Sequence, residues 1–201
     1  MPRLILASAS PRRQELLREA GYDFLVHPAE VDEEALTLPG ILPAALAVQL
    51  AQAKARAVAP HFPDDVVLAA DTVVAFGDQV VGKPVSAAHA RRMLALLSGT
   101  THIVITGITL LHQSRSWSTS DRVLSSVQMR HLADQEIDDY VATGQWQGKA
   151  GGYGIQDPDP FVTRTAGSHT NIVGLPMKRT CQLLAEAGIV PTSPSQTPPI
   201  D

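Results

Sequence analysis

Leu4-Ile5-Leu6-Ala7-Ser8-Ala9-Ser10-Pro11-Arg12-Arg13-Gln14-Glu15-Leu16-Leu17 is the stretch whose reading decides the fold. Leu4 to Ala7 form a short apolar run that reads as a buried strand. Pro11 suits the first position of a helix, where its missing N–H has no helical partner, and Ser10 before it is placed to cap. The stretch is therefore a strand–turn–helix. A helix N-terminus offers free N–H groups and a partial positive charge, which suit an anion. The hydroxyls of Ser8 and Ser10 and the guanidiniums of Arg12 and Arg13 sit at that point, and a guanidinium presents a planar fork that matches phosphate oxygens. The glycines and the Gly-Lys-Ser/Thr ending of a P-loop are absent, so this reads as a polyphosphate-binding turn of another kind. Taken alone, the same residues also describe an ordinary capped helix with a solvated arginine pair.

Outward from this unit, helical patterns cover Pro11–Ala20, Pro43–Ala59, Ala87–Leu97, Asp134–Thr143 and Pro176–Ala187, with Gly21 and Gly188 as C-terminal stops. Strands are expected over Arg3–Ala7, Phe24–His27, Val66–Ala70 running on to Val73–Phe76, His102–Leu111, Trp117–Met129 and Gly152–Ile155. The early part alternates strand and helix. The middle holds a long hairpin turning near Gln113–Ser116. This mixture predicts an α/β protein with a mixed sheet rather than a doubly wound parallel one. No internal repeat and no interdomain linker interrupts it.

The 201 residues are 44% hydrophobic and 18% charged, enough for one globular domain with a real core, and the net charge of -4 argues against nucleic acid as a partner. The single cysteine, Cys181, falls in an apolar helical pattern, reads as core, and fits a reducing cytoplasm. No secretory leader is expected, since Arg3 is followed by only a short apolar run, and no stretch approaches the ~20 apolar residues of a membrane span. The seven histidines show no metal-binding spacing, and His102 reads as a packed or hydrogen-bonded core residue. The Pro-, Ser- and Thr-rich residues 190–201 read as a disordered tail beyond a domain over 1–189.

Several further segments carry chemistry. Val31-Asp32-Glu33-Glu34 is an acidic turn, and Gln52-Ala53-Lys54-Ala55 puts a lysine on an alanine-rich helix. In Ala69-Ala70-Asp71-Thr72-Val73-Val74 an acid interrupts a run that is apolar on both sides, where an ionised carboxylate is costly without partners. Lys83 stands between Gly82 and Pro84, so a tight turn aims it. Lys149-Ala150-Gly151-Gly152-Tyr153-Gly154-Ile155-Gln156 lets a backbone approach a ligand closely, and Gln156 has the donor and acceptor needed to read a base edge. Gly167-Ser168-His169-Thr170-Asn171-Ile172-Val173-Gly174-Leu175-Pro176 is a polar turn leading into a helix.

In order along the chain, SASPRRQELL, VDE, QAKA, ADTVV, GKP, LSGTTHIVITG, EIDDYVATG, KAGGYGIQ and GSHTNIVGLP resemble the Maf family of nucleoside triphosphate pyrophosphatases, from about Arg3 to Gly188. The resemblance implies an elongated mixed sheet flanked by helices, two lobes with a central cleft, as in inosine triphosphatase-like folds. It implies hydrolysis between the α- and β-phosphates with Mg²⁺ or Mn²⁺, and it suggests a homodimer. Asp71 matches the family's proposed base. Glu33 would hold the metal, and Asp71 could share it instead. Ser8, Arg12, Arg13, Lys54 and Lys83 would bind phosphates. Arg12, Thr72 and Gln156 match the branch acting on thymidine and uridine triphosphates rather than the one preferring 7-methylguanosine triphosphate, and modified pyrimidine nucleotides would be substrates too. A house-cleaning or division-arrest role follows from the same resemblance.

The chain departs from the family pattern in places. No acid stands in Gly144-Gln145-Trp146-Gln147-Gly148-Lys149, Asp157 replaces the glycine expected after Ile-Gln, and His169 stands where tyrosine is common. A second reading is a nucleotide-binding regulator of division with little or no hydrolysis. Both readings use Arg12, Arg13 and Lys83, but only an enzyme has a use for Asp71 and Glu33.

Overall fold

The computed structural model describes residues 2–158 and 160–192. In chain order the elements are β1 (Leu4–Leu6), α1 (Pro11–Glu19), β2 (Phe24–Val26), α2 (Glu33–Leu36), α3 (Pro43–Val58), β3 (Val66–Phe76), β4 (Gln79–Val81), α4 (Ala87–Leu97), β5 (Thr101–His112), β6 (Trp117–Met129), α5 (Asp134–Ala142), β7 (Val162–Ala166), α6 (His169–Val173) and α7 (Met177–Glu186). They build one mixed sheet in the order β2-β1-β3-β5-β6-β7, with β4 on the far end of β3. β1 runs parallel to β2 and β3, which needs helical crossovers; the other pairings are antiparallel. The mixed sheet expected from the sequence is thus present.

The two faces of β3 follow from its period of two. Val67, Ala69, Val73 and Ala75 pack with α3 on one face. On the other, Leu68 and Ala70 join Leu17 of α1 and Leu183 and Leu184 of α7 in one apolar cluster. Val74, Val104 and Val127, further along the same face, join α4 and α5 residues in a second cluster. The long strands run through both clusters, and the half-buried Thr72 and buried Thr106 that separate them matter for the site below.

The approach of α3 to the sheet is set by small residues. A Cβ at Gly107 would lie 2.3 Å from the carbonyl oxygen of Ala47, so only glycine admits the helix at this distance. Ala47, Ala51 and Ala55 are fully buried on the same stripe. Lys54 comes two turns after Ala47 on that stripe, so the close packing at Gly107 carries Lys54 down to the sheet.

The structure corrects part of the expected layout. Gly152–Ile155 is not a strand. Ala150–Gly152 is a short 3-10 turn, with φ of 72° at Gly151 and 78° at Gly152, values no strand accommodates. Ser10 occupies the N-cap of α1 but makes no side-chain cap bond; its own N–H donates to Ser8 Oγ at 3.3 Å. α2, β4, β7 and α6, all of five residues or fewer, are additional elements too short to show a period. Of the expected tail, residues from 193 on lie outside the described residues. Thr192 is tied down, its N–H donating to Gly21 O at 2.9 Å and its hydroxyl to Asp23 at 2.8 Å.

Candidate active site

The edge of β3 is open over a short stretch. β1 pairs with it only as far as Leu68, and β4 begins to pair at Val74. Between them, after Ala7 N–H donates to Leu68 O, the chain peels away through Ser8–Ser10 into α1. Asp71 and Thr72 lie in this gap and point to opposite faces of the strand, so a cleft at the gap receives both. Its volume is about 420 Å³. Ser8, Arg12, Arg13, Glu33, Lys54, Asp71, Thr72, Lys83 and Gln156, the residues singled out from the sequence, all line it.

On the α3 face the charges form a chain. Asp71 is 3% exposed and Lys54 is 9% exposed, so neither could stay charged there alone. Lys54 Nζ donates to Asp71 Oδ1 and forms an ion pair with Glu33 Oε1 at 2.6 Å. Lys83 Nζ, aimed by its Gly-Pro turn, reaches Glu33 Oε2 at 3.3 Å. Asp71 Oδ2 takes no hydrogen bond among the described residues. The acidic turn divides its work: Asp32 caps α2 by accepting the Ala35 N–H at 3.0 Å, which leaves Glu33 free to face the cleft. Burial alone would raise the pKa of Glu33; the hydrogen bonds and charges of Lys54 and Lys83 outweigh it and hold the group below its ordinary value.

On the opposite face Arg13 is the hub. Its Nε donates to Gly174 O at 2.8 Å, Nη1 to Ser8 Oγ at 3.0 Å and Nη2 to Thr72 Oγ1 at 3.2 Å. Thr72 Oγ1 is in turn 2.9 Å from Thr106 Oγ1, which donates to Asn171 O at 3.1 Å. This polar layer separates the two apolar clusters and floors the cleft. Desolvation lowers the Arg13 pKa and the Asp71 and Glu33 charges oppose it, so a guanidinium remains charged. Thr106 and Asn171 look like ordinary strand and turn positions in the sequence and join the site only once the strands are paired.

Residues 3–187 match the family model described as Maf-like protein. The chain belongs to the Maf family. Among curated proteins, the dTTP/UTP pyrophosphatase of Cereibacter sphaeroides is 46% identical over 92% of this chain and 95% of its own length. The dTTP/UTP pyrophosphatase of Moorella thermoacetica is 46% identical over 94% of this chain and 97% of its own length. Among solved structures, the Ham1 protein of Staphylococcus aureus overlaps 66% of this chain and 72% of its own, at 14% identity and a TM-score of 0.43.

Against the Maf pattern, this Maf chain's departures take definite places. Gln145 and Gln147 are exposed and outside the cleft, flanking a buried Trp146 whose Nε1 donates to Val141 O at 3.0 Å. His169 begins α6 and does not line the cleft. Asp157 does line it, and its charge is met by an ion pair with Lys149. His102 is buried, its Nε2 lying 2.6 Å from Tyr153 Oη in the cleft wall. Among the described residues no helix is long and apolar enough to cross a membrane.

Proposed function

We propose that this Maf chain hydrolyses dTTP and UTP to the monophosphate and pyrophosphate, with a divalent cation. The observation that carries the reading is the buried Asp71–Lys54 pair, joined through Lys54 to the half-buried Glu33 and opening onto a cleft rimmed by Arg12, Arg13 and Lys83. The names of the relatives, dTTP/UTP pyrophosphatases, support the substrate.

A triphosphate repels its nucleophile, so the site must gather positive charge around the phosphates and supply a base. Arg12 and Lys83 line the cleft with their charges available to phosphate oxygens. Arg13 spends three donors on holding Ser8, Thr72 and Gly174, which fixes the phosphate-binding turn against β3. Each of its Nη atoms keeps a second N–H for a phosphate. Lys54 holds Oδ1 of Asp71, leaving Oδ2 to accept a proton from the attacking water. The water oxygen bonds to the α-phosphorus, the bond to the bridging oxygen breaks, and its electron pair leaves with pyrophosphate.

Glu33 would hold Mg²⁺ or Mn²⁺, and Asp71 could share the cation in place of its role as base. Such hard cations take one or two protein carboxylates and complete their shell with phosphate and water, so the two carboxylates in the cleft fit the group. When bound, the cation supplies charge neutralisation at the phosphate oxygens. At the other end Gln156, whose side-chain amide makes no hydrogen bond among the described residues, faces the cleft as the reader of the O4/N3 edge of uracil or thymine, with Arg12 and Thr72 completing the selectivity.

The test is a panel of dTTP, UTP, CTP, purine triphosphates and 7-methylguanosine triphosphate with Mg²⁺ or Mn²⁺, scoring monophosphate and pyrophosphate. Cleavage of dTTP and UTP ahead of the others is expected. Tight binding of dTTP without cleavage of any triphosphate would overturn the enzyme in favour of a binding protein.

A further inference from the structure

The glycine-rich segment ends in a four-residue turn, Gly154-Ile155-Gln156-Asp157, with Gln156 near its apex. The turn is closed twice. The Asp157 N–H donates to Gly154 O at 3.3 Å, and the Gly154 N–H donates to Asp157 Oδ2 at 3.0 Å. The same carboxylate is anchored to the body of the protein. Tyr140 of α5 donates its hydroxyl to Oδ2 at 2.9 Å, and Lys149 Nζ pairs with Oδ1. The side chains of Lys149 and Asp157 are only 14% and 15% exposed, so each needs the other. A Cβ at Gly154 would lie 2.7 Å from Asp157 Oδ1, so the carboxylate has closed onto a backbone that only glycine leaves bare. Upstream, the Gly151 N–H donates to Gly82 O at 2.9 Å, joining this segment to the turn that aims Lys83.

Gln156 itself is exposed, and its side-chain amide is free among the described residues. Nothing about the side chain fixes where its amide stands. The backbone beneath it does, and Asp157 holds that backbone. We propose that Asp157, locked by Lys149 and Tyr140, is a positioning residue for base recognition: it sets the turn that presents Gln156 to the pyrimidine. This rests on the base-reading role of Gln156 proposed above. Asp157 touches neither phosphate nor base in this scheme. Its charge is spent on Lys149 and does not repel the substrate. Pre-organising the turn means that the nucleotide does not have to order it on binding.

The experiment compares the full chain with Asp157→Asn, Asp157→Gly, Lys149→Met and Gln156→Ala. Asp157→Asn removes the ion pair and keeps the shape; Asp157→Gly removes the clamp altogether. Each Asp157 variant is expected to raise KM for UTP about 10-fold, the scale of one charge-assisted hydrogen bond, with kcat within about 3-fold. The preference for UTP over CTP in kcat/KM should fall towards that of Gln156→Ala. Inhibition by inorganic tripolyphosphate, which has no base, should stay at the wild-type level, a result a merely structural lesion would not give. Combining Lys149→Met with Asp157→Asn should be no worse than either alone, since both break one pair. Unchanged KM and preference in both Asp157 variants, with Gln156→Ala impaired, overturns the clamp and leaves the base reader standing. Unchanged values in Gln156→Ala as well overturn the base-reading role itself. Weakened tripolyphosphate inhibition in both Asp157 variants would also overturn the proposal, since the whole cleft would then have been disturbed.

Discussion

Lys54 places one ammonium between two carboxylates, and the three groups have separate consequences when altered. Asp71→Asn keeps the size and the burial but cannot accept the proton of an attacking water. We expect its kcat to fall about 10²-fold or more, the range for a lost general base, while dTTP still binds; rapid-quench turnover and nucleotide titration measure the two parts. Glu33→Gln leaves a neutral oxygen in place of an anionic one. Its activity should require a higher Mg²⁺ concentration to reach half-maximum, and an unchanged metal titration would move the ligand elsewhere. His102 belongs to the fold rather than the chemistry. Burial lowers its pKa from 6.5 to about 4, so between those values the unfolded chain binds a proton that the folded chain refuses. Stability therefore falls as pH drops from about 6.5 towards 4, by at most about 3 kcal/mol from this residue. His102→Gln should flatten that part of the curve, as read by denaturant melts of both proteins across the range.

At the scale of elements, α3 is the part that brings the site together. Its sequence shows the helix plainly, from Pro43 to the C-terminal alanines, and the observed helix ends within a residue of expectation. What the pattern does not show is how far the helix descends onto the sheet, because that depends on a glycine some fifty positions later in another strand. Gly107 lies opposite Asp71 in the β3–β5 ladder, so the same spot on the sheet admits the helix and carries the acid. Gly107→Ala should push the Ala47 backbone outward, at a cost of about 3 kcal/mol for overpacking a filled interface. Because Lys54 rides on that helix, kcat should fall along with the melting temperature, whereas a loss confined to stability would mean that α3 yields locally. The glycine-rich segment teaches the converse. Its apolar and aromatic residues resemble a strand, but consecutive glycines at positive φ turn the chain, and the loop is held by side chains instead of a ladder.

Across the whole molecule, the cleft joins residues from Ala7 to Gly174, among them Ala7 of the core on the α3 face, Val74 and Val104 of a core on the other face, and Asp71 and Thr72 from the two faces of β3. A ligand that fills it ties these parts together and stabilises the folded chain by mass action. A UTP analogue with a methylene bridge between the α- and β-phosphates, at 100 times its Kd with Mg²⁺, should add about 2.7 kcal/mol of stability. A melting-temperature rise with the UTP analogue and none with the matching CTP analogue is the expected pattern; equal rises would remove base recognition.

By itself the sequence determined the local structure and the chemical inventory. Strand–turn–helix at Leu4–Leu17, the long β5–β6 hairpin and the main helices follow from periodicity, prolines and glycines over ten or so neighbouring residues, and such signals are local by nature. The motifs in their order were enough to point to the Maf family and to name nine of the residues that line the cleft. Only the tertiary structure decided which of them meet. The open edge between β1 and β4 arises because one strand is too short and the other starts too late. Lys54 bridges Asp71 and Glu33 because Gly107 lets α3 sink. Asp157, a misfit in the sequence pattern, becomes the closure of a turn because Lys149 and Tyr140 stand beside it. Each of these depends on groups that are distant along the chain or on the distance between packed backbones. Neither leaves a periodic trace in the amino-acid order, so both had to wait for the fold.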